Sequence, residues 1–324
     1  MNRDDKLAGS FNYRVLLKWI IVLPIFIFLG KMVWENWSQI KEASFSFRFL
    51  PLFLSTLLFA LSYFIQIWAW YLITLKLNIA LPWNETVRNW FTSQLGKYLP
   101  GKVWIFLSRF YLYESKGKSK KAITLALYFE TITMVMAAGL LSFISLFSSW
   151  KDHSSYLGIS TPWLILLFIG TFLFLHPVVL QKIINPLLVF FKRDPISISL
   201  SYPDILWILG ICVLCWVIGG IGFYLFIDSV YPVSLQQVLF LIGALTISNT
   251  LGLLALFAPS GLGVREGALV YLLSSIMPSS VAVILSILTR LWMTLIEIGL
   301  IGMVYSIGRF QKKIGHGDPN AQTE

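Results

Sequence analysis

Eight charged residues stand where the surrounding chain is almost wholly apolar: Lys97, Lys102, Arg109, Glu130, Arg265, Glu266, Arg290 and Glu297. A charge at membrane depth is costly unless it is paired, hydrated or able to reach the interface, so each is a functional candidate. Two short runs concentrate them. In QLGKYLPGKVWIFLSRF, Pro100-Gly101 interrupts a helical pattern and Lys102 follows at once. In ALFAPSGLGVREG, Pro259, Gly261 and Gly263 interrupt a second pattern just before Arg265 and Glu266. Proline removes a backbone donor and glycine loosens the helix, so each run reads as helix, break, helix.

Broken backbone is tolerated in a membrane only against protein or a wet cavity. The second arms begin just past the breaks, which would point free N–H groups and a positive dipole end into that cavity, beside Lys102 and Arg265. Glycine also allows a ligand to approach the backbone closely. This is anion-binding chemistry, and Arg265 can grip a phosphate through two parallel donors. In an apolar shell the expected partner is an anionic lipid headgroup, its tails left among the membrane lipids. The expected binding set is Lys102, Arg265, Arg290, Glu130, Glu266 and Glu297, with hairpin tips at Pro100, Gly101, Pro259, Gly261 and Gly263. The bland alternatives are kinks in a packed bundle, and structural pairing of Glu130, Arg290 and Glu297, for instance Glu130 with Arg290, which hold corresponding places in the two halves. For Lys18 and Arg109 snorkelling to the interface is the favoured reading.

The elements that must position these residues follow from composition. Of 324 residues 57% are apolar and 12% charged, against about a quarter charged in soluble proteins, and mean hydropathy is +0.77. An ordinary soluble enzyme is excluded, and the fold class is all-α polytopic membrane protein. Six runs are long enough to cross: Val15–Trp37, Leu50–Leu75, Ala122–Phe147, Pro162–Leu180, Ile205–Ile227 and Val281–Ile307. The two broken runs, Thr86–Tyr113 and Val238–Met277, are expected to be re-entrant hairpins. The first arm of the second could span by itself, which would make eight hydrophobic segments. The expected organisation is a cytoplasmic N-terminus (1–14), one transmembrane domain (15–308, with halves at about 15–147 and 162–308) and a cytoplasmic tail (309–324).

The net charge of +10 could suggest nucleic acid, but the bases sit in short loops between apolar runs rather than in a water-facing stripe. With the N-terminus inside and both broken runs as hairpins, 15 of the 25 bases fall on the cytoplasmic side, including Lys116, Lys118, Lys120 and Lys121. Only Lys31, Lys41, Arg48 and Lys151 fall outside. Each half then contains two crossings, a hairpin and a third crossing, so the second half is inverted relative to the first. Thr92-Ser93-Gln94-Leu95-Gly96 before the first break echoes Ser248-Asn249-Thr250-Leu251-Gly252 before the second. Inverted repeats with matching broken helices point to a transporter's midplane site. Trp34, Trp37, Trp83, Trp90, Trp150, Trp163 and Trp207 lie near predicted helix ends and read as interface anchors.

Catalytic signals are sparse. His153, His176 and His316 are scattered, Cys212 and Cys215 lie inside an apolar run and read as packing residues, and no metal motif, Walker A sequence or nucleophile elbow is present. No metal and no cofactor are expected.

QLGKYLPGKVW with Arg109 downstream, Glu130 in its helix, and PSGLGVREGAL followed by Arg290 together resemble the lysylphosphatidylglycerol synthase transmembrane, or flippase-like domain, family. The resemblance runs over roughly 15–308. It implies a membrane module that moves aminoacylated phosphatidylglycerol between leaflets in bifunctional relatives, and cell-envelope lipid or polysaccharide pathways for stand-alone ones. It carries over to Pro100, Gly101, Lys102, Glu130, Pro259, Gly261, Gly263, Arg265, Glu266 and Arg290. Ser260 stands where many relatives have a second glycine. Only 309–324 follow the last helix, so the aminoacyltransferase activity of fused relatives is expected to be absent. The leading expectation is a multi-pass protein of the bacterial inner membrane that transports an anionic, phosphate-bearing lipid. The rivals are a membrane enzyme acting on phospholipid or polyprenyl-phosphate-linked glycans, and an accessory subunit whose partner is a synthase or glycosyltransferase.

Overall fold

The computed structural model describes residues 47–98, 103–148, 200–255, 261 and 263–315, with Trp34 and residues 170, 173, 176–179, 181–182 and 185. The expected crossings Val15–Trp37 and Pro162–Leu180 lie essentially outside the described residues. Every regular element among those described is helical: α1 (Phe49–Lys76), α2 (Trp83–Gln94), α3 (Val103–Glu114), α4 (Lys120–Ser148), α5 (Tyr202–Val230), α6 (Val238–Leu254), α7 (Val264–Leu273) and α8 (Ser279–Gly315). Two 3-10 turns, Leu95–Tyr98 and Leu235–Gln237, follow α2 and precede α6. Among the described residues five helices are long and apolar enough to cross a bilayer, including the first arm of the second broken run. The protein is thus an all-α polytopic membrane protein. At 12, 12 and 10 residues, α2, α3 and α7 fall short of the roughly 20 that a crossing needs. The last helix continues past the expected Ile307 to Gly315, because nothing in the basic stretch Arg309 to Lys313 breaks a helix.

Local signals explain the helix ends. At the end of α1, Asn78 adopts a left-handed φ of 57° and the Ile79 N–H reaches back to the Thr74 carbonyl at 2.9 Å. That closure satisfies carbonyls the helix would leave open. At the start of α5, the Ser201 hydroxyl accepts from the Asp204 N–H at 3.3 Å, and Pro203 sits in the first turn, where its missing donor is no loss.

The core axis is the antiparallel pair α1 and α5, the most extensively packed of all. Arg48, before α1, pairs with Asp228 near the end of α5; Lys76, at the end of α1, pairs at 2.8 Å with Asp204 at the start of α5. Small residues let the backbones approach: a Cβ on Gly222 would meet Leu58 Cβ at 3.2 Å and the Ser55 carbonyl at 3.4 Å. The free thiols of Cys212 and Cys215 are buried here, and Cys215 donates to the Ser62 carbonyl at 3.2 Å.

The two halves use corresponding contacts. The third helix of the first half, α4, packs on α5 and antiparallel to α6, where Ser142 and Thr246 hydroxyls meet at 2.9 Å. Its counterpart α8 packs on α1 and antiparallel to α2, where Thr92 and Tyr305 meet at 2.7 Å. In each half the second arm lies between its first arm and the following helix. The LG echo now has a physical meaning. A Cβ on Gly96 would meet the Trp104 carbonyl and Ile105 N at 2.7 Å, and Gly252 lies as close to Gly261, so both glycines mark where one arm folds against the other.

Candidate functional site

Where the two broken runs approach one another, a cavity of about 280 Å³ opens, lined by residues from all eight helices. Three cations reach it from different elements: Lys97 from the first 3-10 turn, Arg265 from the first turn of α7, and Arg290 from α8. Glu297 lines it two turns beyond Arg290 on the same face of α8. The structure therefore brings Arg265, Arg290 and Glu297 together. Glu266 stands behind them, with Oε1 accepting from Arg290.

Arg265, half-buried, differs from the other bases at membrane depth. Its Nη2 lies 3.1 Å from Met293 Sδ, a weak acceptor, and among the described residues it forms no salt bridge with a carboxylate. Lys97 pairs with Glu297 Oε2, and Tyr63 donates to the same oxygen at 3.4 Å. Tyr63, Tyr98, Gln66, Gln94, Asn249 and Thr294 complete a polar lining within otherwise apolar helices. Lys97, Arg265 and Arg290 thus give the cavity three positively charged donors beside one lining carboxylate, Glu297.

Glu130 is absent from the lining. It pairs with Arg109 on α3 and accepts from Trp90 Nε1 at 3.1 Å. This corrects two expectations at once. Glu130 and Arg290 do not meet, because α4 and α8 have no substantial contact; each pairs instead with the second arm of its own hairpin. Arg109 does not snorkel: it is 2% exposed, and its guanidinium carbon lies 4.7 Å from the Trp70 ring and 5.3 Å from the Trp90 ring. Trp90 is likewise buried rather than an interface anchor, whereas Trp34, Trp83 and Trp207 are exposed.

Of the expected tips, Pro100, Gly101, Lys102 and Pro259 lie outside the described residues. Gly261 and Gly263 have φ of 70° and 83°, where a side chain is strained. Gly261 serves backbone packing rather than ligand approach, since its Cβ would meet the Gly252 carbonyl at 2.7 Å. At the α7 terminus, Glu266 Oε2 accepts the Gly263 N–H at 2.7 Å, the capping-box use of an acid three residues on.

Lys97 belongs to the cavity, although its sequence neighbourhood pointed to Lys102. The missed polar residues did leave a signal: Tyr63 and Gln66 are spaced three apart, as are Gln94 and Lys97, and Arg290, Met293, Thr294 and Glu297 follow the i, i+3, i+4, i+7 pattern of one helix face. At the end of the first hairpin away from the cavity, Lys116 lies 2.9 Å from Glu85, and its hydrogen bond holds that carboxyl below the usual range.

Among the described residues no cluster of His, Cys, Asp and Glu could hold a metal. No curated protein matches the chain. The family model for the lysylphosphatidylglycerol synthase TM region matches residues 16–301, nearly the whole of the sequence and every helix described above except the end of α8. The chain belongs to the lysylphosphatidylglycerol synthase transmembrane family.

Proposed function

We propose that this protein moves an anionic, phosphate-bearing lipid between the leaflets of the bacterial inner membrane as part of cell-envelope biogenesis, with Arg265 as the principal headgroup anchor. The observation that carries the reading is a guanidinium without a carboxylate partner among the described residues, held in a cavity that both halves line. A membrane family concerned with lipid and envelope processes supports it. In this reading the headgroup sits among Arg265, Lys97 and Arg290, Lys102 of the first hairpin tip joins the set, and Glu266 and Glu297 balance the bases. The hairpins re-enter the membrane from one side, both termini are cytoplasmic, and the two antiparallel halves rock about α1 and α5 to open the cavity to each leaflet in turn.

The test is transbilayer movement of labelled phosphatidylglycerol, aminoacyl-phosphatidylglycerol and undecaprenyl phosphate in proteoliposomes. At least one is expected to cross faster than in empty vesicles. Arg265→Gln is expected to reduce that rate at least tenfold while leaving the protein monodisperse and helical. Rates equal to empty vesicles for all three, or an undiminished Arg265→Gln rate, refute the reading. A modified headgroup would transfer it to the enzyme class.

A further inference from the structure

Three carboxylates are buried among the described residues, and they are not alike. Glu130 has both oxygens engaged, Oε1 by Trp90 Nε1 and Oε2 by Arg109. Glu266 is also satisfied at both, Oε1 by Arg290 and Oε2 by the Gly263 N–H. Glu297 is as deeply buried, yet among the described residues only Oε2 is engaged, by Lys97 and Tyr63, while Oε1 has no hydrogen-bond partner there. A buried carboxylate with an open oxygen departs from the rule that such groups are satisfied, and it calls for a role.

The accessible member of the Lys97–Glu297 pair is the cation. The Lys97 side chain keeps 27% of its exposure and that of Glu297 only 1%. Met293, which lies against Arg265, precedes Glu297 by one turn of α8, about 6 Å along the axis. An anion entering against Arg265 therefore meets the Lys97 ammonium and not the carboxylate behind it. Once that ammonium turns to the anion, Glu297 is a buried charge without a cation, a state that costs several kcal/mol and is relieved by neutralisation.

We propose that Glu297 takes up one proton on Oε1 when an anionic headgroup draws Lys97 away, and releases it when the headgroup leaves, so that lipid movement is coupled to proton movement. The inference rests on the anionic-lipid reading above. The proton comes from water, the carboxylate becomes a neutral acid, and no other bond changes. The charged and titratable groups facing Glu297 are Lys97 and Tyr98 of the 3-10 turn, Tyr63 of α1, Arg265 of α7 and Arg290 on its own helix, with Glu266 held behind Arg290 and Cys215 of α5 on the cavity wall. Lysine, arginine, tyrosine and cysteine do not change charge between pH 6 and about 7.5 at their ordinary values.

The experiment is calorimetric titration of the full-length protein in detergent with short-chain phosphatidylglycerol, in buffers of different ionisation enthalpy. Its phosphodiester keeps one charge over this range. The wild type is expected to take up close to one proton per lipid bound, with affinity falling by up to about tenfold per pH unit above neutrality. Glu297→Gln is expected to bind with no proton uptake and a flat pH profile. Lys97→Met is expected to lose the uptake as well, because its Glu297 has no cation to lose. Wild-type binding without uptake, or undiminished uptake in Glu297→Gln, overturns the coupling while an Arg265→Gln loss of binding leaves the anion site standing. Absence of wild-type binding overturns the coupling, and binding unaffected by Arg265→Gln overturns both the coupling and the anion site.

Discussion

The Arg109–Glu130 pair gives the sharpest energetic test, because it separates a structural charge from a ligand-handling one. Both side chains are more than nine-tenths buried, Glu130 also accepts from Trp90, and Arg109 lies over two tryptophan rings. Glu130→Ala strands the guanidinium in an apolar interior, which costs about 3–5 kcal/mol, and leaves the Trp90 N–H unpaired, which adds about 1–3 kcal/mol. Glu130→Gln keeps an acceptor for Trp90 and falls between. Removing both charges together, as Arg109→Met with Glu130→Leu, leaves no buried charge, so the cost of the stranded guanidinium returns; what remains is the unpaired Trp90 N–H, about 1–3 kcal/mol, and the lost stacking on Trp70 and Trp90, about 0.5–2 kcal/mol. Reversible unfolding in mixed micelles, followed by helical signal, measures all four proteins. The reasoning is refuted by a Glu130→Ala protein within about 0.5 kcal/mol of wild type, or by a double variant no more stable than the single one.

The glycine and surface-charge readings are tested by the same measurement. Gly261→Ala is expected to destabilise by about 2 kcal/mol or more, from a left-handed backbone and a clash with the Gly252 carbonyl; Gly299→Ala, with open space at its Cβ, is expected to be neutral or stabilising by up to about 1 kcal/mol. Equal effects at both positions would contradict the packing account. For Glu85, whose carboxyl the Lys116 hydrogen bond holds below its ordinary value of 4.5, the stabilising contribution is present above that pH and lost as pH falls through the lower folded value. The pair is largely exposed, so the contribution is at most about 1 kcal/mol, and Lys116→Ala is expected to remove this component of the acid sensitivity of melting.

Much of the architecture was legible in the chain. Leu50–Leu75, Ala122–Phe147 and Ile205–Ile227 each lie within two or three residues of an observed helix at both ends, because an apolar run of this length admits only a helix in a bilayer. Both breaks were legible too, since proline and glycine act locally. The cavity was legible in part. Arg265, Arg290 and Glu297 line it and Glu130 does not; binding and structural pairing both stood open for Glu130, because a sequence shows that a charge lies at membrane depth and not what lies beside it.

Sequence alone determined that the chain is an all-α polytopic membrane protein, that two of its helical stretches are broken, and that three acids and five bases must be accommodated in an apolar interior. Each conclusion depends on residue type and local spacing, which fix hydrogen-bonding capacity and transfer cost. Partnership was decided only by the tertiary structure. It set Glu130 on Arg109, Glu266 on Arg290 and on the cap of α7, and Glu297 on Lys97 with one oxygen open, while among the described residues Arg265 received a sulfur and no carboxylate. Those assignments depend on which helices pack and on which face, and charge energies change over a few ångströms, a distance that linear spacing does not encode.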